Sequence, residues 1–301
     1  MRKFLLYTLL FWIGVAVFDV LFGVLFDKLN VMTRGEGATN KMNMLCMRDS
    51  HDILIMGSSR AHHHYIPSDL EDSLKMECYN AGFDGMGIIL HYGLLKLLLK
   101  RYHPKLIIYD VEPTYDLQTN DNVRYLSLLK PYFRDENIAD IFKKVSLVEY
   151  YKVNSGLYRY NSTFLPIIIG VSNSDSYEPE KGFVPLKGEL QDCGIVKGTS
   201  QSEIDKIKMY YLACFIHDVK EAGVPLLMIA SPHYGRGEMN ELEEVNSLCK
   251  SNKVLFLNYY SDPFYLSHSE LFNDPLHLNW KGAKIFTHQI VPIVKKYMIN
   301  N

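Results

Sequence analysis

The sequence has too little cysteine chemistry to build a site from thiols. Its five cysteines, Cys46, Cys78, Cys193, Cys214 and Cys249, are odd in number and share no Cys-x-x-Cys spacing. That excludes a thiolate zinc site and a full disulfide framework, and leaves buried thiols as the default with room for one disulfide in an oxidising compartment. An excess of charge is also missing: 32 Lys+Arg against 34 Asp+Glu give a formal charge of -2, so no basic field gathers nucleic acid. No internal repeat or disordered tract is visible, and 48% apolar residues in a chain of 301 supply a core for one large domain or a domain with a substantial insertion. His62-His63-His64 stands without an Asp, Glu or His at helical spacing to complete a tetrahedral site, and adjacent residues rarely face one ion. No metal and no cofactor is expected; the three histidines read as surface or cleft residues, with His62 the one closest to a site.

One long apolar run is present. Arg2-Lys3 precede Phe4 to Phe26, interrupted only by Asp19, and at ~1.5 Å per residue this run is long enough to cross a ~30 Å hydrocarbon core. Residues 1–28 are expected to form a membrane anchor; a cleaved signal peptide would have a shorter apolar region closed by a small-x-small site. No cysteine near the end of the run makes a lipoprotein site. The positive-inside rule then places Arg2-Lys3 in the cytoplasm and the globular part outside, on the periplasmic or outer face. Asp19 within the span either faces a membrane partner protein, or marks a shorter span, Phe4 to Phe18, followed by an amphipathic turn.

Residues 29–50, with Thr33-Arg34-Gly35-Glu36-Gly37 and four methionines in a polar setting, read as a connector. From 51 onward strands and helices alternate. Ile53 to Met56, a region near Glu77 to Asn80, and Lys105 to Val111 read as strands, with helices around Ser68 to Leu74 and over Ile88 to Arg101. The alternation stops between about 114 and 200, longer than an ordinary βα connection. There Val123 to Tyr132 and Ile138 to Tyr151 read as helices and Asn173 to Gly198 as loop. Tyr115, Tyr125, Tyr132, Phe133, Tyr150, Tyr151, Tyr158, Tyr160, Phe164 and Tyr177 crowd this insertion, as the core of a helical subdomain or as an aromatic-lined lid or glycan-stacking surface. Helix Ser202 to Ala222, strand Pro225 to Ala230, helix Met239 to Ser251, strand Val254 to Leu257 and helix Lys281 to Tyr297 complete an α/β domain over 51–301. Five strands separated by helices predict a doubly wound, mostly parallel sheet.

Two short blocks carry chemistry. The apolar run Ile53 to Met56 breaks into Gly57-Ser58-Ser59-Arg60, which puts a hydroxyl at the carboxyl end of a strand, the edge where open α/β sheets place ligands. Gly-Ser-Ser is also ordinary turn and capping chemistry. Far downstream stands Asn273-Asp274-Pro275-Leu276-His277 before the last helix, where Asp and His three apart can form a base and its orienting carboxylate.

The order Ser, then much later Asp-x-x-His, resembles the SGNH (GDSL-type) hydrolase superfamily. The resemblance implies a flavodoxin-like sheet, with Ser59 as nucleophile, Asp274 as orienter and His277 as general base. Gly-Ser-Ser in place of the family's aspartate before the nucleophile looks like its membrane-linked members, among them the D-alanyl transfer protein of teichoic-acid D-alanylation and the O-acetylation proteins of exopolysaccharides. Asn80-Ala81-Gly82-Phe83-Asp84-Gly85 matches the family's glycine block, with Gly85 by spacing in the oxyanion-donor role. The family's asparagine after the third strand is replaced here: Asp110-Val111-Glu112-Pro113 puts Glu112 at or near that position, and an ionised carboxylate donates no hydrogen bond. Two arrangements would rescue the site: Arg60, next to Ser59, pairs with Glu112 and keeps it in a positioning role, or the insertion supplies another donor. His233, in Ser231-Pro232-His233 after the fourth strand, lines the cleft or bonds backbone.

Two functions compete. One is an extracytoplasmic serine esterase or O-acyltransferase acting on acyl esters of a glycan or cell-envelope polymer. The other is a non-catalytic, membrane-anchored carbohydrate-binding or envelope-assembly protein with a degenerate SGNH site, motivated by Glu112 and the aromatic insertion.

Overall fold

The computed structural model describes residues 1–172, 179–191, 196–197, 203–236 and 240–300. In chain order the elements are α1 (Arg2–Met32), α2 (Ala38–Asn43), β1 (Ile53–Gly57), α3 (Ser59–His64), α4 (Pro67–Leu74), β2 (Cys78–Gly82), α5 (Ile88–Leu99), β3 (Leu106–Asp110) and α6 (Pro113–Asp116). The insertion then carries α7 (Glu136–Val145), α8 (Leu147–Lys152), α9 (Gly156–Tyr160) and α10 (Phe164–Ser172). After it come α11 (Lys206–Glu221), β4 (Leu226–Ala230), α12 (Asn240–Ser251), β5 (Leu255–Asn258), α13 (Pro263–Leu266), β6 (Phe272–Asp274), β7 (His277–Leu278) and α14 (Trp280–Asn300). Two compact units divide the chain, Met1–Arg48 with Val123–Tyr177, and Asp49–Asn122 with Glu178–Asn301.

The second unit is an α/β sheet domain. Its five strands are all parallel, in the order β2-β1-β3-β4-β5, the order of a doubly wound sheet. Every residue of β1 to β4 is buried, because helices cover both faces and a strand so placed must be apolar throughout. Ile-Leu-Ile-Met and Leu-Ile-Ile-Tyr satisfy that demand. Ile53, Ile55, Ile108, Leu227 and Ile229 meet Phe272 and Phe286 in one core. Gly57 ends β1 at φ 139°, and a Cβ there would lie 2.5 Å from the Asp110 carbonyl oxygen. A Cβ on Gly82, which ends β2, would lie 2.5 Å from the His62 nitrogen. These two glycines let α3 start hard against the strand ends.

Element ends differ from the sequence reading for local reasons. The helix expected from Ser202 begins at Lys206, because the Asp205 carboxylate accepts from the Ile207 and Lys208 N–H groups and so caps it. The single helix expected over Ile138 to Tyr151 is split at Ser146, whose hydroxyl caps α8 through the Glu149 N–H. Val123 to Tyr132 is a 3₁₀ helix spanning Asn122–Tyr132. The loop expected over Asn173 to Gly198 lies in large part outside the described residues.

The first unit is helical. Its α1 is long and apolar enough to cross a membrane, with a mean hydropathy of 2.5 over its most apolar window. Residues 29–50, expected as a connector, are folded instead: α2 runs into a π-helix at Met44–Arg48, and Met42, Leu45 and Cys46 are buried. The polar residues that suggested exposure are paired in the interior. Asn43 bonds the Asn30 side chain and carbonyl and accepts from the Tyr132 hydroxyl at 2.6 Å. Of the insertion's aromatics, Tyr125, Tyr132, Phe133 and Tyr160 are core, whereas Tyr151 is exposed.

Asp19 finds its partner within the chain. Its carboxylate accepts from the Ser155 hydroxyl at 2.7 Å and from the Gly156 and Leu157 N–H groups at 3.1 and 2.8 Å, the free donors at the start of α9. That pairing removes the reason to require a second membrane protein at Asp19. Gly23 of α1 touches Gly156 directly, and Asp27 accepts from Arg159, Arg134 and Tyr160.

Candidate active site

The end of β1 supplies the first group. Gly57 closes the strand, Ser58 stands in the extended conformation before α3, and Ser59 is the first residue of that helix. Ser59 is 8% exposed. The second and third groups come from the hairpin of β6 and β7, in which Asp274 pairs with His277. An Asx turn makes this hairpin: Asp274 Oδ1 accepts from the Leu276 and His277 N–H groups at 2.9 and 3.1 Å, the self-bonding that favours Asp before proline in a turn. The turn leaves the two side chains facing each other.

The geometry joins all three. His277 Nδ1 lies 2.9 and 3.0 Å from the two Asp274 oxygens, and His277 Nε2 lies 2.8 Å from Ser59 Oγ. A carboxylate can only accept, so Nδ1 carries the proton and Nε2 presents its lone pair to the serine hydroxyl. Burial opposes ionisation of Asp274, but hydrogen bonds from the His277 and Asn273 side chains and the Leu276 N–H outweigh it and hold its carboxyl well below the usual carboxylate range. Ser59, His277 and Asp274 are thus in hydrogen-bond sequence, the arrangement that serine acyl transfer uses.

The hairpin is held from several sides. His64, fully buried, accepts the Leu278 N–H on Nε2 at 2.9 Å and contacts Ser231 Oγ through Nδ1 at 2.9 Å. Burial, followed by the nearby charges of His277 and Arg60, depresses its pKa well below the ordinary histidine value, so it stays neutral as the Leu278 bond requires. The Tyr234 N–H donates to the Pro275 carbonyl at the hairpin tip. Asn279 caps α14 through the Lys281 and Gly282 N–H groups and donates to the carbonyls of Gly188, Glu270 and Phe272.

Gly85 sits at φ 66° in the turn after β2, at the same carboxyl edge of the sheet as Ser59. Its neighbour Asp84 ties that turn to α3: Oδ1 lies 2.7 Å from His62 Nδ1 and 3.2 Å from His63 Nε2. Burial works against the Asp84 charge, and the two histidine hydrogen bonds more than offset it, holding the carboxyl far below its ordinary value. His62, His63 and Asp84 place their donor atoms within 4.8 Å of one another. Helical spacing within the histidine run gave no sign of this group, since its carboxylate comes from the next strand's end. Both imidazoles meet the same carboxylate oxygen at direct hydrogen-bond distance, the geometry of a His–Asp–His cluster. The His63 ring stands edge-on to His277 at 5.5 Å, so His63 and the buried His64 approach the base, and His62 is not the closest of the three.

Arg60 does not pair with Glu112. Its guanidinium, 1% exposed, donates to the Val111 carbonyl at 2.6 Å and the Ser231 carbonyl at 3.2 Å, lies 3.9 Å from Asp110 and stacks on Tyr260. It therefore clamps the ends of β3 and β4 behind Ser59. Glu112 caps α6: its carboxylate accepts the Tyr115 N–H at 3.0 Å. Burial pushes its carboxyl up, with Arg60 pulling the other way. His233 stacks on Tyr260 with ring centroids 4.6 Å apart, and burial, with Arg60 and His277 nearby, lowers its pKa to about 4.

A surface cleft of about 430 Å³, bordered by Phe183, Lys187, Trp280 and Lys284 among others, lies off the Ser59–His277 pair, and none of Ser59, Asp274 and His277 borders it. No family model and no curated protein matches the chain, so the chemistry is argued from the site itself.

Proposed function

We propose that this chain is a membrane-anchored serine esterase or O-acyltransferase of the SGNH type, acting on acyl esters of a glycan or cell-envelope polymer with its sheet domain outside the cytoplasm. The observation that carries the reading is the 2.8 Å contact between Ser59 Oγ and His277 Nε2, with Asp274 bidentate on the far side of the imidazole.

In this mechanism His277 Nε2 takes the Ser59 proton as Oγ adds to the acyl carbonyl carbon. The tetrahedral intermediate collapses, the C–O bond to the leaving alcohol breaks, and His277 returns the proton to that alcohol. Water or an acceptor hydroxyl then gives its proton to His277, attacks the acyl-serine and regenerates Ser59. Asp274 stabilises the imidazolium formed on the way. The Ser59 and Gly85 N–H groups have no partner among the described residues, which leaves them available for the oxyanion role that the resemblance implies. The expected anchor is α1. Gly23, Phe26 and Asn30 are buried in the first unit, which supports a retained helix over a cleaved signal sequence.

A second reading draws on Glu112. It takes the family's asparagine position yet serves as a helix cap, as in a binding protein that kept the fold and lost a donor. Release of alcohol from an activated acetyl ester by the full-length protein, absent in Ser59→Ala, supports the enzyme. No turnover by the wild type, alongside undiminished glycan binding in Ser59→Ala, supports the binding protein.

A further inference from the structure

The first unit carries an apolar surface that a folded domain in water would hide. α10, Phe-Leu-Pro-Ile-Ile-Ile-Gly-Val-Ser, has no charged residue. It buries Ile167 with Phe26 and Tyr160 and turns Leu165 (55% exposed) and Ile169 (59%) outward. In α8, Leu147, Val148 and Tyr151 are likewise exposed. Contiguous apolar exposure of this kind marks an interaction surface.

The length of α1 says what covers it. Phe4 to Phe18, exposed all round, measures only ~22 Å at ~1.5 Å per residue, short of a ~30 Å hydrocarbon core. Phe4 to Leu25 measures ~33 Å by the same rise, and Lys28, exposed, marks the water side beyond it. A full crossing therefore takes Asp19 to Leu25 into the hydrocarbon, where the start of α9 packs at Asp19 and Gly23, and brings the boundary to Phe26, against which Ile167 of α10 packs while Gly170 reaches Thr33 beyond it. On its open side the segment shows Val20, Leu21, Val24 and Leu25; on its other side its acid, Asp19, is satisfied by α9. Lipid tolerates a polar group or a helix end only when it is satisfied internally, and this one is.

Resting on the reading of α1 as a membrane helix, we infer that the insertion is itself seated at the edge of the bilayer: the start of α9 enters the same leaflet as the second half of α1, α10 lies at the hydrocarbon boundary, and the occupant of its apolar face is lipid. Asp19 is the device that makes this tolerable. The helix start it caps would otherwise carry bare N–H groups into hydrocarbon.

The test is fluorescence of the full chain reconstituted in phosphatidylcholine vesicles with and without mid-chain brominated acyl groups. With Trp280 replaced by Phe throughout, Trp12 in α1 reports on the anchor. Ile169→Trp and Leu165→Trp report on α10 and Lys143→Trp on the exposed face of α7 serves as control, each in a background that also carries Trp12→Phe. The expected result is that Ile169→Trp and Leu165→Trp lose emission in brominated vesicles, to a smaller extent than the more deeply placed Trp12, while Lys143→Trp keeps its own. If Trp12 is quenched and both α10 variants behave like the control, the insertion is not seated in lipid and the inference is overturned with the anchor intact. If the α10 variants escape both bromolipid and aqueous iodide, protein covers the face, and the inference is again overturned. If Trp12 itself is unquenched, the anchor reading fails and the inference fails with it.

Discussion

At the scale of single residues, the groups that react under the proposed function differ from the groups that hold them. Ser59→Ala removes the nucleophile, and esterase turnover should fall by roughly four or more orders of magnitude with no loss of fold. Asp274→Asn keeps the size of the orienter but frees the histidine to take the wrong tautomer, which should lower kcat by about 10⁴ while leaving KM close to wild type. His64 acts through the hairpin. His64→Ala leaves the buried Leu278 N–H without its acceptor, and a buried group so stranded costs about 1–3 kcal/mol. Chemical denaturation should read that loss, and kcat should fall with it because the Asp274–His277 hairpin loses its support. The pH dependence has a definite sign. His64 is held below its ordinary range and His233 at about 4, so between that region and ~6.5 the unfolded chain binds protons that the folded chain does not. Their contribution to stability is full above ~6.5 and is lost as pH falls toward 4. The melting temperature of the wild type should drop over that window, and the drop should shrink in His64→Gln.

Elements show why some of this is legible in sequence and some is not. β1, β3 and α5 are read directly, since Ile-Leu-Ile-Met, Leu-Ile-Ile-Tyr and the apolar Ile88–Leu99 can only be buried. Ser59 and the Asp-x-x-His pair stand out because strand-end and hairpin chemistry fix their local geometry. Asp84, His64 and Asn279 do not stand out: each matters through a partner brought by another strand or loop, and no spacing along the chain records it. The misread connector has the opposite cause. Asn40 and Asn43 look solvated, yet both are buried with hydrogen-bonded side chains. Charge alone pairs Arg60 with Glu112, whereas the guanidinium donates to the carbonyls at the ends of β3 and β4 and the Glu112 carboxylate accepts an N–H of α6. The strand-to-helix turn offers its own prediction. Gly57→Ala places a Cβ at φ 139° and 2.5 Å from the Asp110 carbonyl oxygen. It should cost more than about 1 kcal/mol in unfolding free energy, and should lower activity through the displaced Ser59. A Glu112→Ala change removes the α6 cap and should cost about 1 kcal/mol, with Glu112→Gln losing less.

On the scale of the whole molecule, the chain combines a sheet unit that carries the triad geometry with a helical unit built on α1. The second half of α1 belongs to the helical unit's core, since Phe26, Tyr160 and Ile167 pack together and Asp27 is held by Arg159. Deleting residues 1–28 should therefore do more than release the protein from membranes. Limited proteolysis of the shortened chain should cut within 123–172 at sites protected in the full chain, while the sheet unit resists.

The central claim is that Ser59 is a nucleophile activated by His277, and the most direct test is mass spectrometry of the full-length protein after exposure to a fluorophosphonate. The account predicts one covalent phosphonyl adduct on the peptide containing Ser59, abolished in His277→Ala as well as in Ser59→Ala. A folded wild type that never acquires the adduct, or an adduct formed equally well without His277, would contradict it.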